Sequence, residues 1–334
     1  MMKAATIEAE VAPLEQGLPL VGLGGVYGLD THSTTRACRD EATPSRFADY
    51  LELTKPRIAV MALFTVAVGY LLGAGSGVSA VVLLHTLLGA GLVAAGGSAL
   101  NQWLERFIDG RMWRTMKRPL PAGRLTPADA LAFGIGLGVV GLVYLFAAVP
   151  YPAGVAAAVT VVCYVAIYTP LKTVTVWNTV VGAVPGALPP VIGWFAARGW
   201  DGAAGALGLF LILFLWQLPH FMAIAWMYRD DYARGGLRML PNADPTGGRT
   251  AAVMIITCAA LIPVGFVSVW LGVAGPLSVG GCAILGTLFL REAIRFHRNR
   301  TDVQARKVLR ASLLYLPGVL GLLLLDGLLP LVTG

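Results

Sequence analysis

Nine stretches of this chain are apolar for close to the length of a bilayer crossing: near 58 to 75, 78 to 104, 127 to 149, 152 to 168, 174 to 197, 202 to 227, 251 to 272, 274 to 290 and 311 to 333. That repetition leaves few folds open. About 20 consecutive apolar residues carry a helix across a hydrocarbon layer about 30 Å thick, whereas a spanning strand needs about ten. The runs are rich in Leu, Ala, Val and Gly and lack period-two alternation, so they read as helices rather than barrel strands. Only 13% of the 334 residues are charged, about half the share of an ordinary soluble domain. The expectation is an all-α polytopic membrane protein with nine transmembrane helices.

The basic residues test that count. With the N-terminus inside and nine crossings, every lysine and arginine but Arg198 falls in the tail or in an inward-facing loop, out of 25 in all. Such asymmetry is the positive-inside pattern. It accounts for the net charge of +7 without a nucleic-acid partner, and it puts the N-terminus and the charged loops on the cytoplasmic side of a bacterial-type inner membrane. Residues 1–46 are polar and Gly-rich and read as a flexible cytoplasmic tail, with the transmembrane domain at 47–334. The tail's patch LPLVGLGGVYGL lacks a basic flank and a small-residue cleavage site, so it is not read as a signal peptide. Glu8, Glu10 and Glu15 argue against an organellar transit peptide. Cys38, Cys163, Cys258 and Cys282 have no metal-ligand spacing and read as small core residues.

Charged inner loops follow the second and sixth helices, which suggests two four-helix repeats with a ninth helix added. The fifth run, WNTVVGAVPGALPPVIGW, holds Pro185, Pro189 and Pro190 beside Gly182 and Gly186. A helix so composed is expected to bend or unwind.

The segment NQWLERFIDGRMWRTMKRPLP, residues 101 to 121, ends the second run. Asn101, Glu105 and Asp109 are four apart, so each is turned only about 40° from the last and all three share a face. Two acids at a helix C-terminus oppose the macrodipole, so a cation is expected beside them. Carboxylates with an amide are hard oxygen donors suited to Mg²⁺, which completes its shell with water and substrate phosphates. Arg114, Lys117 and Arg118 follow as donors for such phosphates. The alternative is a self-paired loop that only sets topology. A second cluster weighs against it: MYRDDYARGGLRMLP, residues 227 to 241, repeats the pattern on the same membrane face with Asp230, Asp231, Arg229, Arg234 and Arg238. A diphosphate bound at a membrane surface beside an apolar cavity implies an isoprenoid diphosphate. Its allylic C–O bond ionises, metal and bases stabilise the leaving group, and the dry cavity protects the carbocation.

LTKPR (53–57), the N-x3-E-x3-D helix end, RTMKRPLPAG (114–123), YTPLK (168–172) and YRDDYARGG resemble the UbiA-type intramembrane prenyltransferase superfamily. DYLELTKPR, NQWLERFIDGRMWRTMKRPLP and WQLPHFMAIAWMYRDDYARGGLRMLP are similar to its heme-prenylating branch. The resemblance runs from about residue 48 onward and implies that the nine helices form a bundle around a central cavity. It implies that Asn101, Glu105 and Asp109 form the first metal–diphosphate motif and Asp230 and Asp231 the second, with Mg²⁺ as cofactor and heme B and farnesyl diphosphate as substrates. Gln102 and Glu105 depart from the superfamily's NDxxDxxxD, which leaves the number of metal ions open. On the acceptor side the resemblance points to Trp216, Gln217 and His220, one of four histidines. Arg229 is a further diphosphate donor, and Lys55, Arg57 and Lys172 are basic residues that could meet diphosphate or heme propionates; a snorkelling role is equally open for these three. Docking to a heme A synthase or an oxidase assembly protein is compatible with this branch. The alternatives are a sister enzyme with another aromatic or tetrapyrrole acceptor, and a non-catalytic heme-binding protein or transporter.

Overall fold

The computed structural model describes residues 45–272 and 275–333. The expected N-terminal tail lies almost entirely outside them. Among the described residues there are nine helical spans long and apolar enough to cross a membrane. All nine fall on the expected apolar runs, and several run further. The second reaches Asp109, the eighth reaches Arg298, and the ninth begins at Asp302, because helices continue past the hydrocarbon where polar side chains meet water and headgroups.

A short helix, α1 (Arg46–Leu53), precedes the first span and is capped by the Ser45 hydroxyl, which accepts from the Ala48 amide. Pro56 cannot continue it, since proline lacks the amide and crowds the residue before it. Lys55 takes up the break with φ 50°, the one positive φ at a non-glycine among the described residues, and α2 (Pro56–Ala74) starts the first crossing. Spans two and three are α3 (Ala80–Asp109) and α4 (Pro127–Ala148). Span four is α5 (Tyr151–Val162), a π-helical segment Cys163–Tyr168, and α6 (Thr169–Val174).

The proline-rich fifth span breaks at Leu188 into α7 (Asn178–Ala187) and α8 (Pro189–Arg198). Its close packing has a specific cause. A Cβ on Gly193 would collide with the Val66 carbonyl, and one on Gly69 with the Pro190 carbonyl, so glycines let the α2 and α8 backbones touch. Arg198, the one basic residue expected on the outer face, donates to the Gly73 carbonyl at the end of α2. The remaining spans are α9 (Ala203–Met227), α11 (Gly248–Trp270), α12 (Pro276–Arg298) and α13 (Asp302–Thr333), with the short α10 (Arg229–Arg234) after α9. Helix α13 packs on α12, α9 and α2, which closes the ring. At the end of the bundle opposite the charged loops, Asp326 of α13 accepts from the Gly275, Leu277 and Ser278 amides and the Ser278 hydroxyl, capping α12. Cys163, Cys258 and Cys282 are unpaired thiols, as their spacing implies.

Candidate active site

Asn101, Glu105 and Asp109 occupy one face of the last turns of α3, and all three are buried, at 1%, 6% and 1% exposure. One oxygen of each meets a base from a different segment. Lys55 Nζ donates to Asn101 Oδ1 at 2.9 Å, Lys172 Nζ to Glu105 Oε1 at 2.6 Å, and Arg118 Nη1 to Asp109 Oδ2 at 2.7 Å. The left-handed turn at Lys55 brings the first of these in. Burial, with Arg118 and Lys172 adding like charge, pulls the Lys55 ammonium down to about 7. The second comes from α6, just beyond the π-helical turn, where Lys172 also lies 4.5 Å from the Tyr168 ring centre. Such turns are frequent at functional sites. Thr169, which opens α6, accepts from Asn101 Nδ2 at 3.1 Å and donates to the Tyr164 carbonyl.

Gln102 is turned away from this face. Its amide donates to the Leu53 and Glu52 carbonyls of α1, so it anchors α1, which Arg124 also holds through Asp49 and Glu52.

The second acidic segment reaches the first through its loop. Asp231 accepts from the Trp113 amide at 2.8 Å and the Arg114 amide at 3.4 Å, and pairs with Arg234 at 3.0 Å. Arg114 donates to the Tyr232 hydroxyl and lies over the Tyr228 and Tyr232 rings. The Arg238 amide donates to the Lys172 carbonyl, and Asn178 donates to the Arg238 carbonyl. Asp230 is exposed. No group of three or more His, Cys, Asp or Glu among the described residues has metal-site spacing; the first motif contributes two carboxylates and an amide. One atom stands out: Asp109 Oδ1 is buried with no hydrogen-bond partner. An unsatisfied carboxylate oxygen at the end of a row of hard donors fits a cation such as Mg²⁺.

The remaining expected residues divide. Lys117 and Arg57 are exposed, with side chains free of protein partners. Arg229 donates to the Trp226 carbonyl and to Asp302 of α13, and so links α9 to α13. Gln217 is buried against Gly186 and donates to the Leu213 and Ala183 carbonyls. Trp216 and His220 stack with centres 4.9 Å apart, and both bond to Ser312 of α13. Thr169 falls within the YTPLK motif, which by itself assigns it no role, and Ser312 leaves no signal beyond a hydroxyl inside an apolar run.

Comparison with known proteins puts this geometry in context. The UbiA prenyltransferase family matches residues 62–316. Over 287 residues the chain is 47% identical to the protoheme IX farnesyltransferase of Solibacter usitatus, covering 83% of this chain and 98% of that one. Over 277 residues it is 39% identical to the mitochondrial protoheme IX farnesyltransferase of Arabidopsis thaliana, covering 83% and 64%. Among solved structures it is similar to digeranylgeranylglyceryl phosphate synthase, with TM-score 0.72, 18% identity, and 84% and 98% of the chains covered. It is also similar to a UbiA homologue from Archaeoglobus fulgidus bound to GPP and Mg²⁺, with TM-score 0.56, 16% identity, and 82% and 99% covered.

Proposed function

Because the chain belongs to the UbiA prenyltransferase family, we infer that it is an integral membrane enzyme that joins the farnesyl group of farnesyl diphosphate to a vinyl group of heme B, with addition of water, giving heme O and diphosphate. The observation that carries the site assignment is the buried face Asn101–Glu105–Asp109, met by Lys55, Lys172 and Arg118 from three segments. Asp109, through its unpartnered oxygen, holds Mg²⁺ with Glu105 and Asn101 beside it. When bound, the metal supplies positive charge that offsets the charge growing on the departing diphosphate. The neighbour bound to GPP and Mg²⁺ supports this choice of metal.

Arg114, Lys117 and Arg118 donate to the diphosphate oxygens, and Lys172 adds its charge to the same anion. Asp231 fixes the backbone at Trp113 and Arg114 and so aims the Arg114 side chain; Asp230, exposed beside it, is open to a second cation. The terminal carbon of the vinyl group forms a bond to farnesyl C1 as the C1–O bond breaks. Water then adds to the adjacent, ring-stabilised carbon and releases one proton. His220 and Trp216 face the porphyrin, Gln217 packs behind them, and Lys55 and Arg57 meet the propionates.

The basic asymmetry supports a cytoplasmic N-terminus and cytoplasmic motif loops in a bacterial-type inner membrane. Heme O is apolar and redox-active, so hand-over to a heme A synthase or an oxidase assembly protein belongs to this reading. The test is direct. Purified protein incubated with heme B, farnesyl diphosphate and Mg²⁺ yields hydroxyethylfarnesyl heme by mass, and Asp109→Asn lowers turnover by about 100-fold or more. A prenylated phenolic acid with no modified heme would overturn the assignment.

A further inference from the structure

Ser312 is fully buried on α13 and is gripped twice by α9. The Trp216 indole N–H donates to its carbonyl at 2.7 Å, and His220 Nδ1 lies 2.7 Å from its hydroxyl oxygen. The second contact has a direction that can be worked out. A serine hydroxyl has one proton, and this one is donated to the Leu309 carbonyl at 2.6 Å, a group that can only accept. Ser312 Oγ therefore accepts from His220, and the proton of the neutral imidazole sits on Nδ1.

Nε2 is left with its in-plane lone pair. It bonds to no described residue, and it is absent from the polar atoms sealed in without a partner, so it opens onto accessible space. The ring plane is fixed as well, stacked on Trp216 at an interplanar angle of 29°. His220 lies seven residues inside the inner end of α9 at Met227, roughly 10 Å below the loops that carry the acids.

We propose that Ser312 is a positioning residue for the acceptor: by taking the Nδ1 proton of His220 it presents Nε2 as the nitrogen that binds the iron of heme B. Ligating histidines characteristically donate their other N–H to a fixed acceptor, which sets tautomer and ring orientation. The proposal rests on heme being the acceptor. Trp216 binds the Ser312 backbone and not its side chain, so loss of the hydroxyl leaves α9 and α13 joined and isolates its effect on His220.

The experiment titrates purified wild-type protein, Ser312→Ala, Ser312→Thr and His220→Gly with ferric heme B, read by optical and electron paramagnetic resonance spectra, with product mass measured in parallel. Wild type gives an imidazole-ligated spectrum. Ser312→Ala weakens heme binding by about 10- to 100-fold and erodes that spectrum, while Ser312→Thr retains both. His220→Gly loses the imidazole signature and recovers it on addition of free imidazole. Metal-free protoporphyrin binds wild type and Ser312→Ala alike. A wild-type complex without nitrogen ligation, or Ser312→Ala indistinguishable from wild type in affinity and spectrum, overturns the proposal. If heme O still forms in that case, the functional reading stands and only the role of Ser312 falls; absence of heme O sinks the reading beneath it.

Discussion

Lys172 and Glu105 form the most direct test of how the site is held. Their charged atoms are 2.6 Å apart, with side chains 15% and 8% exposed. At an effective dielectric near 20, that separation corresponds to a gross attraction of about 6 kcal/mol. Desolvation of both ions offsets most of it, so the net worth of the pair is small, yet removing one partner leaves a buried charge uncompensated at a cost of about 3–5 kcal/mol. Lys172→Met and Glu105→Gln should each lose stability on that scale in reversible unfolding from mixed micelles. The double variant should recover most of it, giving a coupling of roughly 2 kcal/mol or more. Magnesium separates the two single variants. In Lys172→Met the carboxylate has lost its cation, so saturating Mg²⁺ should stabilise this form more than wild type, by up to about 3 kcal/mol at 100 times its Kd. In Glu105→Gln the stranded charge is positive and Mg²⁺ should give no such gain. Additive losses, with coupling below about 0.5 kcal/mol, would refute the pairing. Equal Mg²⁺ stabilisation of all forms would refute Glu105 as a metal ligand.

Three further outcomes follow from the packing and the caps. Gly193→Val puts side-chain carbons against the Val66 carbonyl and the Tyr70 amide, so it should cut the yield of monodisperse protein in size-exclusion chromatography, while Gly136→Ala, facing open space, should not. Asp326→Ala removes the cap of α12 and should cost about 1–2 kcal/mol in unfolding measurements with turnover unchanged, since the site lies at the other membrane face. Burial works to raise the Asp244 carboxyl, but hydrogen bonds from the Thr250 amide and hydroxyl and from Thr246 outweigh it and hold it below the usual value of 3.8. A depressed carboxyl stabilises the fold above its unfolded value and loses that contribution as pH falls through the folded one. Hydrogen exchange at the start of α11 should therefore quicken below about pH 4 in wild type, and Asp244→Asn should be fast already at neutral pH.

The legible part of the fold is what hydropathy and charge encode by themselves. Nine spans follow from run length, and the break in the fifth follows from the adjacent Pro189 and Pro190, which begin α8, whereas the single Pro185, Pro219 and Pro263 sit inside α7, α9 and α11 without ending them. The shared face of Asn101, Glu105 and Asp109 follows from the 3.6-residue period. Their partners do not, because Lys55 and Lys172 are 46 and 67 residues away along the chain from the groups they bind. Only the π-helical turn and the left-handed residue bring them in, and neither has a sequence signature. Arg229 shows the converse: its adjacency to Asp230 is legible, but its pairing with Asp302 of α13, 73 residues away along the chain, is not. Ser312 was illegible for a simpler reason, as a lone serine in an apolar helix looks like filler until the helix beside it is known.

The pattern of burial bears on whether the charges at the end of α3 serve anything beyond topology. A signal that only orients helices works through bases in water and headgroups, and exposed Arg111 and Lys117 meet that need. It gives no reason to bury Glu105 and Asp109 at 6% and 1% exposure, each at a desolvation cost of several kcal/mol. Nor does it explain three bases around two acids, or a carboxylate oxygen left without a partner inside the protein. A site that must neutralise an anion has reason for all three features. Under the proposed function the excess positive charge would attract the diphosphate, low surrounding polarity would strengthen the attraction, and the unsatisfied oxygen would be left for a cation that arrives with it. Asp231 carries the same logic into the second half of the chain, since a buried carboxylate bonded to the Trp113 and Arg114 amides ties the position of the first loop to the packing of the second.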